Sequence, residues 1–197
     1  MYEYRKLTPE ERKELVEQRI ARGYPPHAPP HSVRGEQFYL LTAVCYEHAL
    51  HMTDPDRRQQ LLELHFERFD DADMEILAWV ILPNHYHLLV RVSDFGLLKR
   101  IFGSVHGKTS YQWNQEEGKR GRKIWFRYSD RAIRSQAHYY TTLNYIHYNP
   151  VKHGWVQSPY GWAESSVHWY LEHEGREWLR DLWSQYPVRD YGSTWDR

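Results

Sequence analysis

Two imidazoles stand two residues apart in the apolar run Ile81-Leu82-Pro83-Asn84-His85-Tyr86-His87-Leu88-Leu89-Val90, which reads as a strand entered from a tight turn. Side chains alternate along a strand, so His85 and His87 share one face. A pair placed this way can hold a divalent cation, and a cation so held can bind and polarise a phosphate oxygen. A histidine on a half-buried strand can equally be satisfied by a backbone carbonyl or by water, so the pair alone does not decide the chemistry. A second constellation, Tyr145-Ile146-His147-Tyr148-Asn149-Pro150-Val151-Lys152-His153-Gly154-Trp155-Val156, supplies what the pair lacks. Tyr145 and Asn149 are four apart and project from one side of a helix, as nucleophile and oxygen ligand. A phenol with a pKa near 10 is a poor nucleophile at neutral pH. A cation held by His85, His87 and Asn149 would neutralise charge on a phosphate and orient it for in-line attack. The product is a phosphotyrosine that conserves the bond energy, so a strand can be rejoined as well as cut.

The elements that must position these groups follow from periodicity. Thr8, Pro9 and Glu11 open a helix over 8–22 that Gly23 ends, and Tyr24-Pro25-Pro26-His27-Ala28-Pro29-Pro30-His31 is too rich in proline for anything but an extended arm. Its His27 and His31 could bind metal, although surface histidines are common in such arms. Residues 38–46 read as a buried first strand. Asp54-Pro55 opens a helix to about Asp70, residues 75–82 form a second strand, and Pro83-Asn84 turns into the third, from His85 to Val92. A long helix covers Phe95–Gln115, and Ile124–Tyr128 reads as the fourth strand. Ser135 caps a third helix that carries Tyr145 and ends near Asn149-Pro150. The order β-α-β-β-α-β predicts an α+β, ferredoxin-like split βαβ fold: an antiparallel sheet with helices on one face and the tyrosine helix near the open one.

Composition narrows the classes. The chain has 197 residues, 41% of them apolar, enough for one domain with appendages. No segment approaches the roughly 18 apolar residues of a membrane span, and no signal core follows Met1, which predicts a soluble, cytoplasmic protein with no membrane partner. Cys45 is the only cysteine, which excludes an internal disulfide and a cysteine-based zinc cluster. Net charge is zero, yet residues 36–98 hold eleven acidic and four basic side chains, whereas 99–134 hold ten basic ones against Glu116, Glu117 and Asp130. Lys99, Arg100, Lys108, Lys119, Arg120, Arg122, Lys123 and Arg127 are therefore candidate contacts to a nucleic-acid backbone, the alternative being a solvated helix face and loop. Trp155, Trp162, Trp169, Trp178, Trp183 and Trp195 crowd the last part of the chain, where one or two packing helices are expected over 160–185. Their rings can stack on bases or close a core.

Pro83-Asn84-His85-Tyr86-His87-Leu88-Leu89, the segment from Tyr145 to Val156 and the element order together resemble the single-tyrosine HUH transposases, and within them the REP-associated tyrosine transposases. The likeness covers about residues 36–165. It implies that His85 and His87 ligate Mg²⁺ or Mn²⁺, that Asn149 stands where the family often has glutamine, histidine or glutamate, and that Tyr145 attaches to a 5′ phosphate of single-stranded DNA. Tyr148 is a lesser candidate nucleophile, and His147 or His153 could carry a proton or simply pack. The implied partners are single-stranded DNA and hairpins of repetitive extragenic palindromes, gripped by the basic stretch and the N-terminal arm, with the protein a monomer acting in cis; a dimer exchanging the tyrosine helix is the alternative. On this reading residues 1–35 are an N-terminal helix and arm, 36–158 the catalytic domain, and 159–197 a helical, aromatic tail. The competing readings are a nucleic-acid-binding module without chemistry, and a metal-dependent phosphodiesterase in which water attacks.

Overall fold

Alternation along β3 (His85–Arg91) sorts the side chains of the sheet into two layers. Tyr86, Leu88 and Val90 enter one core, while Leu89 joins a second core on the face that carries His85 and His87. The computed structural model describes Thr8 and residues 38–196, the latter within one compact unit, Glu36–Arg197. The helix expected over 8–22, apart from Thr8 itself, and the proline-rich arm with His27 and His31 lie outside the described residues.

The sheet contains β1 (Phe38–Val44), β2 (Glu75–Ile81), β3 and β4 (Ser129–Ala132) in the order β2-β3-β1-β4, with every neighbouring pair antiparallel. This is the split βαβ order expected from the sequence. On one face lie α1 (Pro55–Asp70) and α2 (Phe95–Glu116), whose Leu61, Phe69, Leu98, Phe102 and Trp113 share a core with Tyr39, Leu41 and Leu88. Side-chain caps start both helices: Asp54 accepts from the Asp56 amide at 3.0 Å and Asp94 from the Gly96 amide at 2.7 Å. The other face is covered by α3 (Gln136–Lys152), α4 (Val167–His173) and α5 (Arg176–Gln185), where Leu143, Ile146, Val167 and Leu179 meet Leu40, Val80 and Leu89. A register shift between Ile76 and Ala78 turns both Leu77 and Ala78 toward this second core.

Two of the boundaries that differ from the expected ones bear on the site. The fourth strand starts at Ser129, not Ile124, because side-chain anchorage overrides the β-forming text of Ile124–Tyr128. Trp125 makes an isolated bridge to Cys45, while its ring stacks on His106 at 4.4 Å and its Nε1 donates to Thr109 Oγ1 at 2.9 Å. The edge of β1 from Tyr39 to Thr42 is left for Ser129–Ala132. The second difference is that α3 runs through Pro150 to Lys152. Proline costs one helical hydrogen bond there, but the C-terminus closes around it: Trp155 N donates to Pro150 O at 2.9 Å and Gly154 N to Val151 O at 3.0 Å. Gly154, at φ +72°, supplies the left-handed residue that this closure requires. Lys152 and His153 thereby stay on the turn that follows Asn149.

Candidate active site

The first two residues of interest sit where β3 begins. His85 lies opposite Val44 and His87 opposite Thr42, so the C-terminal end of β1 forms the floor beside them. Each ring is held through Nδ1: His87 against Thr42 Oγ1 at 2.7 Å, and His85 against Asn84 Oδ1 at 2.7 Å. This leaves both Nε2 atoms facing a shared space, with the ring centroids 5.1 Å apart. From above, α3 lowers Tyr145 and Asn149 into that space. The Tyr145 hydroxyl lies 3.1 Å from His87 Nε2, and Asn149 Oδ1 lies 3.1 Å from His85 Nε2. The four residues singled out by spacing thus converge within one chain, all of them buried.

A fifth group stands among them. The carboxylate of Asp196 lies 3.5 Å from His85 Nε2 and 3.6 Å from His87 Nε2. Its Oδ2 accepts from the Tyr145 hydroxyl, from Asn149 Nδ2 at 2.9 Å and from Lys152 Nζ at 2.8 Å, and His153 Nε2 lies 3.2 Å from it. His85, His87 and Asp196 each offer one ligand atom within 4.8 Å of the others, so the three could hold a metal ion. Two imidazole nitrogens with carboxylate or amide oxygens are a donor set that suits a divalent cation. Sequence reasoning missed Asp196. It lies in a segment of turns with no periodicity, and only folding brings it to α3 and β3.

Electrostatics follow from burial and this crowding. Burial by itself would raise the Asp196 carboxyl, but attraction from His87, hydrogen bonding with His153 and His87, and attraction from His85 hold it well below the usual carboxylate range. Tyr145 is driven the other way, first by burial and then by the charge and hydrogen bond of Asp196, so its phenol keeps its proton far above the ordinary value. Burial and the neighbouring His87 lower His85 to about 3, which keeps it a neutral ligand at physiological pH.

Tyr145 is only 1% exposed, because residues 187–196 lie over it. Gly192, at φ +90°, packs directly on the ring: a Cβ there would come within 2.5 Å of Tyr145 Cε2. The rings of Trp195 and Tyr191 flank Tyr145 at 5.2 and 5.3 Å, and the Tyr191 hydroxyl is tied to Thr142 Oγ1 at 2.8 Å. Of the two histidines beside the nucleophile, His147 is turned into the helical layer against Ser166, whereas His153 reaches the site and packs on His85 at 4.8 Å. Tyr148 points away, toward Trp183.

The basic candidates divide. Lys99, Arg100, Lys108, Lys119, Arg120 and Arg127 are exposed. Arg122 is engaged within its own loop, donating to Asn114 Oδ1 at 3.0 Å and Glu117 Oε2 at 2.6 Å. Lys123 lies over the rings of Tyr46 and Phe126. Phe126 N donates to Val44 O at 2.8 Å, so Lys123 and Arg127 flank the end of the sheet that carries His85. Among the described residues no helix is long and apolar enough to cross a membrane.

The family described as "Transposase IS200 like" matches residues 36–149, the stretch from the entry of β1 to Asn149. A REP-associated tyrosine transposase of Escherichia coli (strain K12) is 32% identical over 122 residues, covering 57% of this chain and 71% of that protein. A putative REP-associated tyrosine transposase of Haemophilus influenzae is 36% identical over 132 residues, covering 62% and 69%. The solved structure of a REP-associated tyrosine transposase bound to a REP hairpin superposes with a TM-score of 0.57 at 26% identity, covering 75% of this chain and 88% of that one. With its sheet order, its paired histidines and a buried tyrosine against them, the chain belongs to the IS200-like transposase family, in the company of the REP-associated tyrosine transposases.

Proposed function

We propose that this chain cuts and rejoins single-stranded DNA at the foot of hairpins of the repetitive extragenic palindrome type, through a 5′-phosphotyrosine on Tyr145. The observation that carries the reading is the Tyr145 hydroxyl 3.1 Å from His87 Nε2, reached within one chain. That geometry also favours a monomer acting in cis. The donors gathered on Asp196 support phosphate chemistry, because Tyr145, Asn149, Lys152 and His153 surround one small anion as they would a phosphate.

His85, His87 and Asn149 Oδ1 would hold Mg²⁺ or Mn²⁺, with Asp196 joining them in the covered state. When bound, the cation neutralises phosphate charge and favours in-line geometry. The remaining work falls to the chain. The tail over Tyr145 lifts, and the strand's phosphate takes the place of the Asp196 carboxylate. Lys152, whose Nζ lies 5.3 Å from the centre of the Tyr145 ring, and His153 then hold the phosphate oxygens. Removing Asp196 also removes its hydrogen bond to the Tyr145 hydroxyl, which favours the protonated phenol, so the proton passes to water and Lys152 favours the phenolate. The Tyr145 oxygen bonds to phosphorus, the bond from phosphorus to the 3′ oxygen breaks, and that oxygen takes a proton from water. Running the same steps backward with another 3′ hydroxyl joins strands. Hairpin contacts fall to the exposed basic residues, among them Lys123 and Arg127 at the end of the sheet that carries His85.

The test is a hairpin substrate with a single-stranded foot, labelled at its 3′ end and incubated with Mn²⁺. A labelled, denaturation-resistant adduct is expected, and Tyr145→Phe should abolish it. An adduct that survives Tyr145→Phe, or cleavage with no adduct, would overturn the assignment, the latter in favour of attack by water.

A further inference from the structure

The end of α3 sets a large indole in solvent next to groups that the proposed reaction uses. Trp155 is 41% exposed and follows His153 by two residues. Successive Cα atoms are about 3.8 Å apart, so its backbone starts within about 7.6 Å of that of His153, a gap that one nucleotide of a single strand can bridge. The His153 ring packs on His85 at 4.8 Å, which ties this helix end to the paired histidines. Most of a tryptophan's surface is its ring, so this exposure leaves aromatic area without a covering group.

The indole is held in place from several directions. The Trp155 amide donates to Pro150 O at 2.9 Å, and Gly154, at φ +72°, makes the turn that delivers it. Its ring lies 6.2 Å from that of Trp162, tilted by 46°. Trp162 is anchored in turn: its Nε1 donates to Ile81 O at 2.9 Å, and the Arg58 guanidinium lies 4.8 Å from the centre of its ring. Arg58 is itself buried, paired with Glu164 at 2.9 Å and bonded to Met52 O and Thr53 O. Ile81 ends β2, and the Leu82 amide donates to His85 O at 2.8 Å, so this backing belongs to the end of the sheet where β3 begins.

A flat ring attached to an anion suits this arrangement: Lys152 Nζ and His153 Nε2 hold the anion, and the indole offers a face to the ring beside it. We propose that Trp155 is a stacking subsite for a base flanking the phosphate that Tyr145 attacks. The base lies on the side of the indole turned from Trp162, so it meets one ring only and Trp162 supports that ring from behind. Because the indole is ordered before the strand arrives, stacking costs little side-chain entropy. Every base has a π-face, so the contact fixes where the strand lies without selecting its sequence. None of the anchors belongs to residues 187–196, and the subsite therefore survives the lifting of that segment. The proposal rests on the single-strand reading above and adds the contact that sets the strand's register.

The test uses two labelled strands of equal length, one of deoxyadenosine and one abasic throughout, titrated by fluorescence anisotropy in Mn²⁺ against the full chain carrying Tyr145→Phe to prevent chemistry. The base-bearing strand should bind more tightly, and adding Trp155→Leu should shrink the ratio of the two affinities by about fivefold or more, the loss of one stacked base. Trp155→Leu keeps an apolar side chain against Trp162 and removes the flat face, so the abasic strand's affinity should not change. Trp155→Phe keeps a face and should retain most of the ratio. A starting ratio of one, a ratio unchanged by Trp155→Leu, an equal loss on both strands, or the same loss with Trp155→Phe as with Trp155→Leu overturns the subsite. If neither strand binds, the subsite fails as well, and the strand reading falls with it only if the chain with Tyr145 intact forms no adduct.

Discussion

Thr42 decides which nitrogen His87 offers. Its hydroxyl occupies Nδ1 at 2.7 Å, so Nε2 is the atom presented beside Tyr145. Partners of this kind set ring orientation and ligand basicity, and their loss typically weakens metal binding about 10- to 100-fold. Thr42→Val should therefore lower Mn²⁺ affinity by that range in a calorimetric titration while the far-ultraviolet spectrum stays unchanged; unaltered affinity would mean that another contact fixes the ring. On the proposed mechanism the pair acts on the scissile phosphate and not on the duplex, so His85→Ala should abolish cleavage and leave hairpin affinity in a gel shift within about threefold. The roles of Asn149 and Asp196 separate in a single variant. Asp196→Asn keeps the size of the side chain and removes its charge, so adduct formation should rise if the carboxylate holds the place of the phosphate, and fall if it is a required ligand. His85, His87, Tyr145 and Asn149 were legible because two local periods, two along a strand and four along a helix, define their faces. Asp196 had no such signal: Tyr145 and Asn149 stand 51 and 47 residues from it in sequence, and only the packed tail closes that distance.

At the level of elements, local chemistry announced the helix starts better than the strand edges. Asp54 and Ser135 cap where capping residues were read, with Ser135 Oγ accepting from the His138 amide at 3.1 Å. The text Ile124-Trp125-Phe126-Arg127-Tyr128 has the β-propensity of a strand, but Trp125 commits its ring to His106 and Thr109, a contact no local pattern encodes. Two glycines turn this account into measurements. Gly154 ends α3 at φ +72° with nothing near a Cβ, so Gly154→Ala should cost backbone strain alone, about 1 kcal/mol or a few degrees in Tm. Gly192 differs, because its added Cβ would press on the Tyr145 ring. Gly192→Ala should loosen the tail, raise the initial rate of adduct formation, and speed hydrogen exchange in residues 187–196 without affecting the sheet. An unchanged rate alongside faster exchange would show that covering Tyr145 does not limit the reaction.

Across the whole molecule, the sheet keeps its chemistry and its strongest packing on opposite faces. The face toward α1 and α2 holds two further histidines, the buried His65 and the half-buried His106, which the proposed reaction does not use. His106 Nε2 meets the Tyr86 hydroxyl at 2.7 Å and its ring stacks on Trp125, while His65 packs on Tyr86 at 4.7 Å and finds no hydrogen-bond partner for either nitrogen. Burial lowers His106 to about 3 and holds His65 well below its ordinary value, with His106 adding to the effect on His65. In the unfolded chain both take up a proton near pH 6.5, whereas in the folded one they remain neutral, so the unfolded state binds more protons in acid. Their contribution to stability is complete above about pH 6.5 and is lost progressively as the pH falls toward their depressed folded values, near 3 for His106. The urea midpoint of the metal-free protein should accordingly drop between pH 7 and pH 4.5. His106→Phe keeps a ring against Trp125 and removes one titrating group, so it should flatten that drop even if it lowers the midpoint at pH 7 by freeing the Tyr86 hydroxyl. A drop equally steep in the variant would move the acid sensitivity to the other face of the sheet, where His85, His147 and Asp196 are buried.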